Sequence, residues 1–258
     1  ITTEFNPAFQ LGFGFTLNGV GGLLGLNRMV IAEKLQDSVK TNAIESILFP
    51  RDVVRNAPQI ISNLQAIFPV KQGSFLVGPM AKIGWGSPSI ITLSLGVIIQ
   101  LPDVKIGILG VLKMVLPDED LALLKLQVNF LGIIDPAAQM ISFDAALFDS
   151  KLLGTMTLTG QMLLRLKWGN NPDFIFSAGG FHPGFEPTMR LKKMERLGIR
   201  ILDDDNASIR LETYFALTPN TLQFGARAYL FFSFDEWIDF TIKGHLGFDA
   251  LFQFSPFH

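Results

Sequence analysis

Cysteine is absent from the 258 residues, which excludes a disulfide framework, a zinc–thiolate site and a thiol nucleophile. Charge is scarce: only 17% of residues are Asp, Glu, Lys or Arg, 21 basic against 23 acidic, so no basic field exists to steer nucleic acid to the chain. Tyrosine occurs 2 times and tryptophan 3 times against 24 phenylalanines, a poor supply for the aromatic girdles of a membrane barrel. No apolar run reaches the roughly 18 residues of a transmembrane helix. No secretory signal is visible in this segment, and neither feature locates the protein. What the chain has is apolar residues, 48% of the total, too many for a disordered segment. It begins Ile1-Thr2-Thr3-Glu4 and ends Ser255-Pro256-Phe257-His258, which reads as one β-rich module, 1–258, excerpted from a longer polypeptide.

The apolar residues are ordered by period. In 9–26, Leu11, Phe13, Phe15 and Leu17 alternate with small residues, a strand, and Asn18-Gly19 and Gly21-Gly22 read as turns. From about 30 to 68 the spacing is helical: Leu35 and Val39, Ile44, Ile47 and Leu48, with Asp52 as a cap for a further short helix, then Ile60, Ile61, Leu64, Ile67 and Phe68 as an amphipathic helix before Pro69. Afterwards the period is two. Alternating segments predict strands over 89–101, 104–114, 122–130, 141–147 and 152–168. In the last of these Leu152, Met156, Leu158, Met162, Leu164 and Leu166 share one parity. Residues 169–206 are rich in Gly, Pro and Asn and read as a long irregular connection. Strands resume at 208–217, 221–232 and 239–254, where Phe240, Ile242, Leu246, Phe248, Phe252 and Phe254 share a parity. Successive strands with short turns predict an antiparallel meander. The fold class expected is α+β, mainly antiparallel β: a long-stranded meander forming a curved sheet, partial barrel or trough, with two or three helices near the N-terminus.

This pattern poses a physical problem. The six large side chains named in 239–254 alone would forfeit on the order of 9–18 kcal/mol if left in water, comparable to the stability of a whole domain. Aligned strands would make an apolar surface far larger than a soluble monomer usually leaves bare. About forty helical residues cover part of it. The rest is met by a sandwich or barrel closure, by acyl chains in a trough, by a neighbouring module or copy, or by a bilayer.

Motifs with chemistry are few. Gly19 to Gly25 does not match a dinucleotide or P-loop spacing and reads as a place where backbones pack closely. His182, His245 and His258 have no second ligand at metal spacing, and His182 is read as a hydrogen-bonded loop residue. The carboxylates Asp144, Asp149, Glu186, Asp235, Glu236, Asp239 and Asp249 are scattered. Asp203-Asp204-Asp205 lacks the Gly and distal Glu of a calcium loop and reads as a solvated turn. Arg190, Lys192, Lys193, Arg196 and Arg200 form a local basic cluster on an amphipathic stretch. No catalytic residue, cofactor site or metal site is assigned.

Several stretches are familiar together: Gly12-Phe13-Gly14-Phe15-Thr16-Leu17 leading into Gly19-Val20-Gly21-Gly22, Leu48-Phe49-Pro50, Asn56-Ala57-Pro58, Gly78-Pro79-Met80-Ala81-Lys82, Gly179-Gly180-Phe181-His182-Pro183 and Gly247-Phe248-Asp249-Ala250-Leu251-Phe252. Nearly the whole chain resembles a domain of unknown function found in very large, β-rich bacterial proteins. The resemblance implies a bacterial module set in a longer chain and implies no reaction. The expectation is a non-catalytic structural or interaction module. The twelve residues of the two strands above are its candidate apolar face, and its partners are neighbouring modules, other copies or lipid, without nucleic acid. A lipid trough and an enzyme with a spatially assembled site are the alternatives.

Overall fold

A computed structural model describes residues 1–50, 52–118, 121–234 and 240–254. The order is β1 (Thr2–Gly12), β2 (Phe15–Arg28), α1 (Ala32–Lys40), α2 (Ile44–Leu48), α3 (Val53–Ile67), β3 (Val70–Trp85), β4 (Ile91–Leu101), β5 (Lys105–Leu116), β6 (Leu124–Asp135), β7 (Met140–Leu147), β8 (Ser150–Leu152), β9 (Met156–Thr159), β10 (Gln161–Lys167), β11 (Asp173–Ala178), β12 (Leu197–Asp204), β13 (Ala207–Thr218), β14 (Thr221–Phe234) and β15 (Phe240–Gln253). All fifteen strands belong to one antiparallel sheet. The mainly antiparallel β class with N-terminal helices is therefore the observed one.

The topology is simpler than its strand count. β7 and β8 both pair with β6 along the same edge, β9 continues into β10, and β11 and β12 share one edge of β13. Fifteen strands less these three breaks give twelve lines, each paired with the next along the chain. Every strand pairing is thus a connection between sequence neighbours, the cheapest in loop-closure entropy. Among the described residues, β1 and β15 are the open edges.

Four sequence expectations are corrected. Residues 9–26 are two strands, not one: the hairpin turns at Phe13-Gly14, and Gly19 to Gly25 lie inside β2 instead of in turns. A Cβ at Gly19 would come within 2.8 Å of the Thr3 carbonyl oxygen, and one at Gly21 within 2.6 Å of the Thr2 methyl, so the glycines let β1 lie close. The stretch 152–168 is broken by a turn after Leu152 and by Gly160. The irregular connection 169–206 contains β11 and β12, and only 179–196 loops out of the sheet. Its two ends meet at Gln161, whose carbonyl accepts from the Gly179 N–H at 2.8 Å and whose N–H donates to the Glu195 carbonyl at 3.3 Å. Asp52 does precede α3, but in a left-handed conformation with no side-chain cap.

The helices pack on the sheet in a way the period-two pattern does not predict. Leu35, Val39, Ile44 and Leu48 bury against Leu76, Met80, Ile98, Leu109, Val111, Leu131 and Ile133. These strand residues have the opposite parity to Ile91, Leu93 and Leu95 of β4 or Leu124, Leu126 and Val128 of β6. The helices therefore cover the mixed face, not the uniformly apolar one. That face offers room and anchors. A Cβ at Gly96 would meet the Leu48 methyl at 2.5 Å. Gln100 Oε1 accepts from the Val30 N–H at 2.8 Å, and Asn129 Nδ2 donates to the Val39 carbonyl at 3.1 Å. Lys113 Nζ pairs with Glu45 at 2.7 Å. Polar side chains that look solvent-facing in sequence are fastening points for the helical segment and the strand end that leads into it.

Candidate functional site

The residues left over by this arrangement form the site. Side chains on an antiparallel sheet share a face when their residues are directly opposed, so the register can be followed across the molecule. One row runs Thr3, Val20, Ala81, Leu95, Gly110, Phe130, Ala145, Met162, Ala178, Phe215, Phe224, Ala250. It crosses all twelve lines without a charge. The next row runs Ile108, Gly132, Phe143, Leu164, Phe176, Leu217, Leu222, Phe252. Large and small residues alternate along the first row from Ala81 to Phe215, whereas the second is large throughout after Gly132. The Phe130 ring lies over Gly110 and stacks with Phe143 at 6.3 Å, and Phe224 stacks with Phe252 at 5.9 Å.

All of the sequence-nominated residues within the strands fall on this face. Leu152, Met156 and Leu158 lie on β8 and β9, Met162, Leu164 and Leu166 on β10, and Phe240, Ile242, Leu246, Phe248 and Phe252 on β15. Phe254 follows β15 and is 48% exposed. The face is wider than those two segments. On β4, β5, β6, β7, β10 and β11 its residues are all apolar or Gly. Sequence reasoning saw each strand's alternation but had no pairing with which to join them. It is also bare: Phe15, Leu24, Val77, Leu166, Leu211 and Leu246 are exposed.

Toward β15 the face dips into an open bowl of about 590 Å³. Thr213, Ala226 and Ala228 make its floor, and Leu197 and Ile199 on one side and Leu246 and Phe248 on the other make its walls. The Thr213 hydroxyl donates to the Gly225 carbonyl at 2.9 Å, so the one polar side chain in the floor is already satisfied. Arg227 and Asp249, at the bowl's back, pair at 2.7 Å on the opposite face. Burial and the Asp249 carboxylate, which accepts from the Tyr214 hydroxyl at 2.9 Å, push the Tyr214 pKa up to about 12.

The polar candidates lie on the helix face and are spent on structure. Arg165 bridges β10 to β7 by donating to Asp144 at 2.7 Å and to the Phe143 carbonyl at 3.1 Å. Burial nevertheless pushes the Asp144 carboxyl up, against the pull of Arg165. Among the described residues its second oxygen has no hydrogen-bond partner. Lys40, lowered by burial, lies near it, in a cavity of about 740 Å³ under Leu191 and Lys192. Asp149 pairs with Lys125 and Asp249 with Arg227, so Asp144, Asp149 and Asp249 each have a different cation. The N–H of His182 donates to Gln223 Oε1 at 3.0 Å, and its Nδ1 accepts from the Gly184 N–H at 3.0 Å. The basic cluster is dispersed: Lys192 pairs with Asp37, Arg200 with Asp203, and the Arg196 guanidinium lies 4.0 Å from the Tyr214 ring centre. Asp205 and Asn206 form the turn between β12 and β13. Asp235, Glu236, Asp239 and His258 lie outside the described residues. Among the described residues no His or carboxylate cluster of metal-binding kind occurs.

No curated protein and no solved structure matches the chain. A family of unknown function, DUF6603, matches residues 1–258. The chain belongs to that family.

Proposed function

We propose that the chain is a non-catalytic structural and interaction module of a large bacterial protein. Its charge-free face is buried in use against neighbouring modules of the same polypeptide or against other copies. The observation that supports this reading is the uncharged row running unbroken to both sheet edges while the helices occupy the other side. A surface of that extent and composition is a cost in water that contact with apolar protein removes. The test is sedimentation of the full chain over a concentration series. Association that rises with concentration, and that Ile108→Lys on the same face weakens at least tenfold, is the expected result. A monomer at every concentration whose hydrophobic-dye binding is also unaffected by Ile108→Lys would overturn the reading.

The bowl favours a second reading, a trough for an unbranched apolar ligand such as an acyl chain. Its volume lies in the range of small-molecule pockets, and the polar residues of its lining are engaged elsewhere, Thr213 with the Gly225 carbonyl, Glu212 with Arg210 and Arg227 with Asp249. Delipidated protein should bind cis-parinaric acid, and Ala228→Phe, which fills the floor, should abolish that binding. Equal binding by wild type and Ala228→Phe would remove this reading and leave the first standing.

A further inference from the structure

The two open edges of the meander are not alike. β1 contains Pro7, which has no N–H to offer, and its ladder to β2 slips between Glu4 and Phe9 and again between Gln10 and Gly12. Pro and irregular pairing are the means by which proteins blunt an edge against strand addition. β15 has neither. Phe240–Gln253 contains no Pro and holds an unbroken register with β14 over its whole length. Its outward backbone groups can be assigned. The Phe254 N–H donates to the Asn220 carbonyl at 2.7 Å. By the alternation of an antiparallel ladder, even-numbered residues of β15 bond to β14, and the odd-numbered ones from Thr241 to Gln253 turn their N–H and C=O groups outward.

We propose that β15 is a docking edge for a second copy of this chain, the two strands pairing antiparallel about a two-fold axis with Leu246 opposite the partner's Leu246. An antiparallel strand pair has the symmetry of the commonest closed oligomer. In this register Lys243 stands opposite the partner's Asp249, and the symmetry makes that ion pair twice. Phe240 meets the partner's Phe252, Phe248 lies beside the partner's Gly244, and Ile242 beside the partner's Ala250, so large residues face small ones or other aromatics. Asp249 is already fixed by Arg227 and Tyr214. Sliding the partner by two residues in either direction loses both Lys–Asp pairs. Thr241, Lys243, His245 and their opposite numbers close about a dozen backbone hydrogen bonds, as many as an ordinary protein interface carries. Leu246, 78% exposed and the barest of the large apolar side chains of β15, lies at the centre, where hot spots concentrate. Even parity stays with even parity, so the charge-free face continues from one copy into the other. This inference is independent of what covers that face.

The chain has no cysteine, so an introduced one reports its own neighbours. At a non-hydrogen-bonded antiparallel pair the Cα atoms are about 4.5 Å apart, inside disulfide range. Mild oxidation of the full chain carrying Leu246→Cys should give a covalent dimer. Leu166→Cys, exposed on the same face but away from the β15 edge, should stay monomeric. His245→Pro removes an outward N–H that β14 does not use, and should reduce the sedimenting mass from two protomers to one with the far-ultraviolet circular dichroism unchanged. If that variant does not fold, Lys243→Glu places two like-charge pairs in the interface and should weaken dimerisation about tenfold. A wild-type protein that sediments only as monomer overturns the proposal. So does failure of Leu246→Cys to crosslink. Crosslinking of Leu166→Cys at the same rate also overturns it, and points to contact through the face and not the edge.

Discussion

Arg165 and Asp144 show what a single residue does in this sheet. Both side chains are nearly buried, 10% and 13% exposed, and Arg165 also spends donors on the Phe143 and Leu164 carbonyls. Removing one member of such a pair leaves an uncompensated charge. Arg165→Met should therefore destabilise the fold by about 3–5 kcal/mol at neutral pH. The sign of its pH dependence follows from Asp144. Burial sets its folded pKa above the unfolded value, so the folded state holds the proton more tightly. The stability this group contributes is present at low pH and is lost as pH rises through the folded pKa. Without Arg165 the upward shift grows, so the loss in Arg165→Met should shrink on acidification as Asp144 takes up its proton. Urea unfolding of wild type and variant at neutral and mildly acid pH measures this, and a deficit that stays constant or grows on acidification contradicts it. Nothing in the sequence near Asp144 or Arg165 indicates the pair. They are twenty-one residues apart and meet only because β7 and β10 lie side by side.

At the scale of elements, period-two alternation located most strands, and 3.6-residue spacing located all three helices. What it left open was which face the helices take. Gln100, Asn129 and Lys113 look like solvent-facing residues of half-buried strands, and an alternation rule assigns the helices to the other side. The rule fails because a helix needs close approach and hydrogen-bonding groups at its ends, and here the mixed face supplies both. Gly96 makes this testable. A Cβ there collides with the Leu48 methyl, and Leu48 is fully buried at the junction of α2 and the sheet. Gly96→Val should cost about 1–3 kcal/mol by overpacking. Gly110 lies on the other face, where the atoms nearest an added Cβ belong to the Phe130 ring, at 2.2 Å. That ring is the far end of a half-buried side chain, cheaper to turn aside than a fully buried one, so Gly110→Ala should cost about 1 kcal/mol or less. Chemical denaturation of the two variants side by side provides the measurement, and equal costs would mean that the helices do not discriminate between the faces. The 179–196 segment was the least legible element. A loop that leaves one line of the sheet and rejoins it carries turn residues at both ends, and sequence alone cannot tell it from a connection between separate strands.

At the scale of the whole molecule the sheet has two sides with opposite chemistry, and each position's tolerance of charge is set by its side. Leu163 and Leu166 are three residues apart on β10, on opposite faces, 4% and 43% exposed respectively. A lysine at Leu163 would bury its charge beside Arg165 and Asp144. Leu163→Lys should cost more than 3 kcal/mol, or fail to fold, because it desolvates a second cation beside a carboxylate that Arg165 already holds. A lysine at Leu166 keeps its ammonium in water and lays its methylenes along the sheet. Leu166→Lys should leave folding stability within about 0.5 kcal/mol while lowering hydrophobic-dye binding and aggregation. Thermal unfolding and dye binding of the two variants read both quantities on one strand. If Leu166→Lys is the more damaging of the two, the bare face is part of the core and not a surface. Side chains of the two long apolar rows would then need cover within a single copy to keep that copy folded.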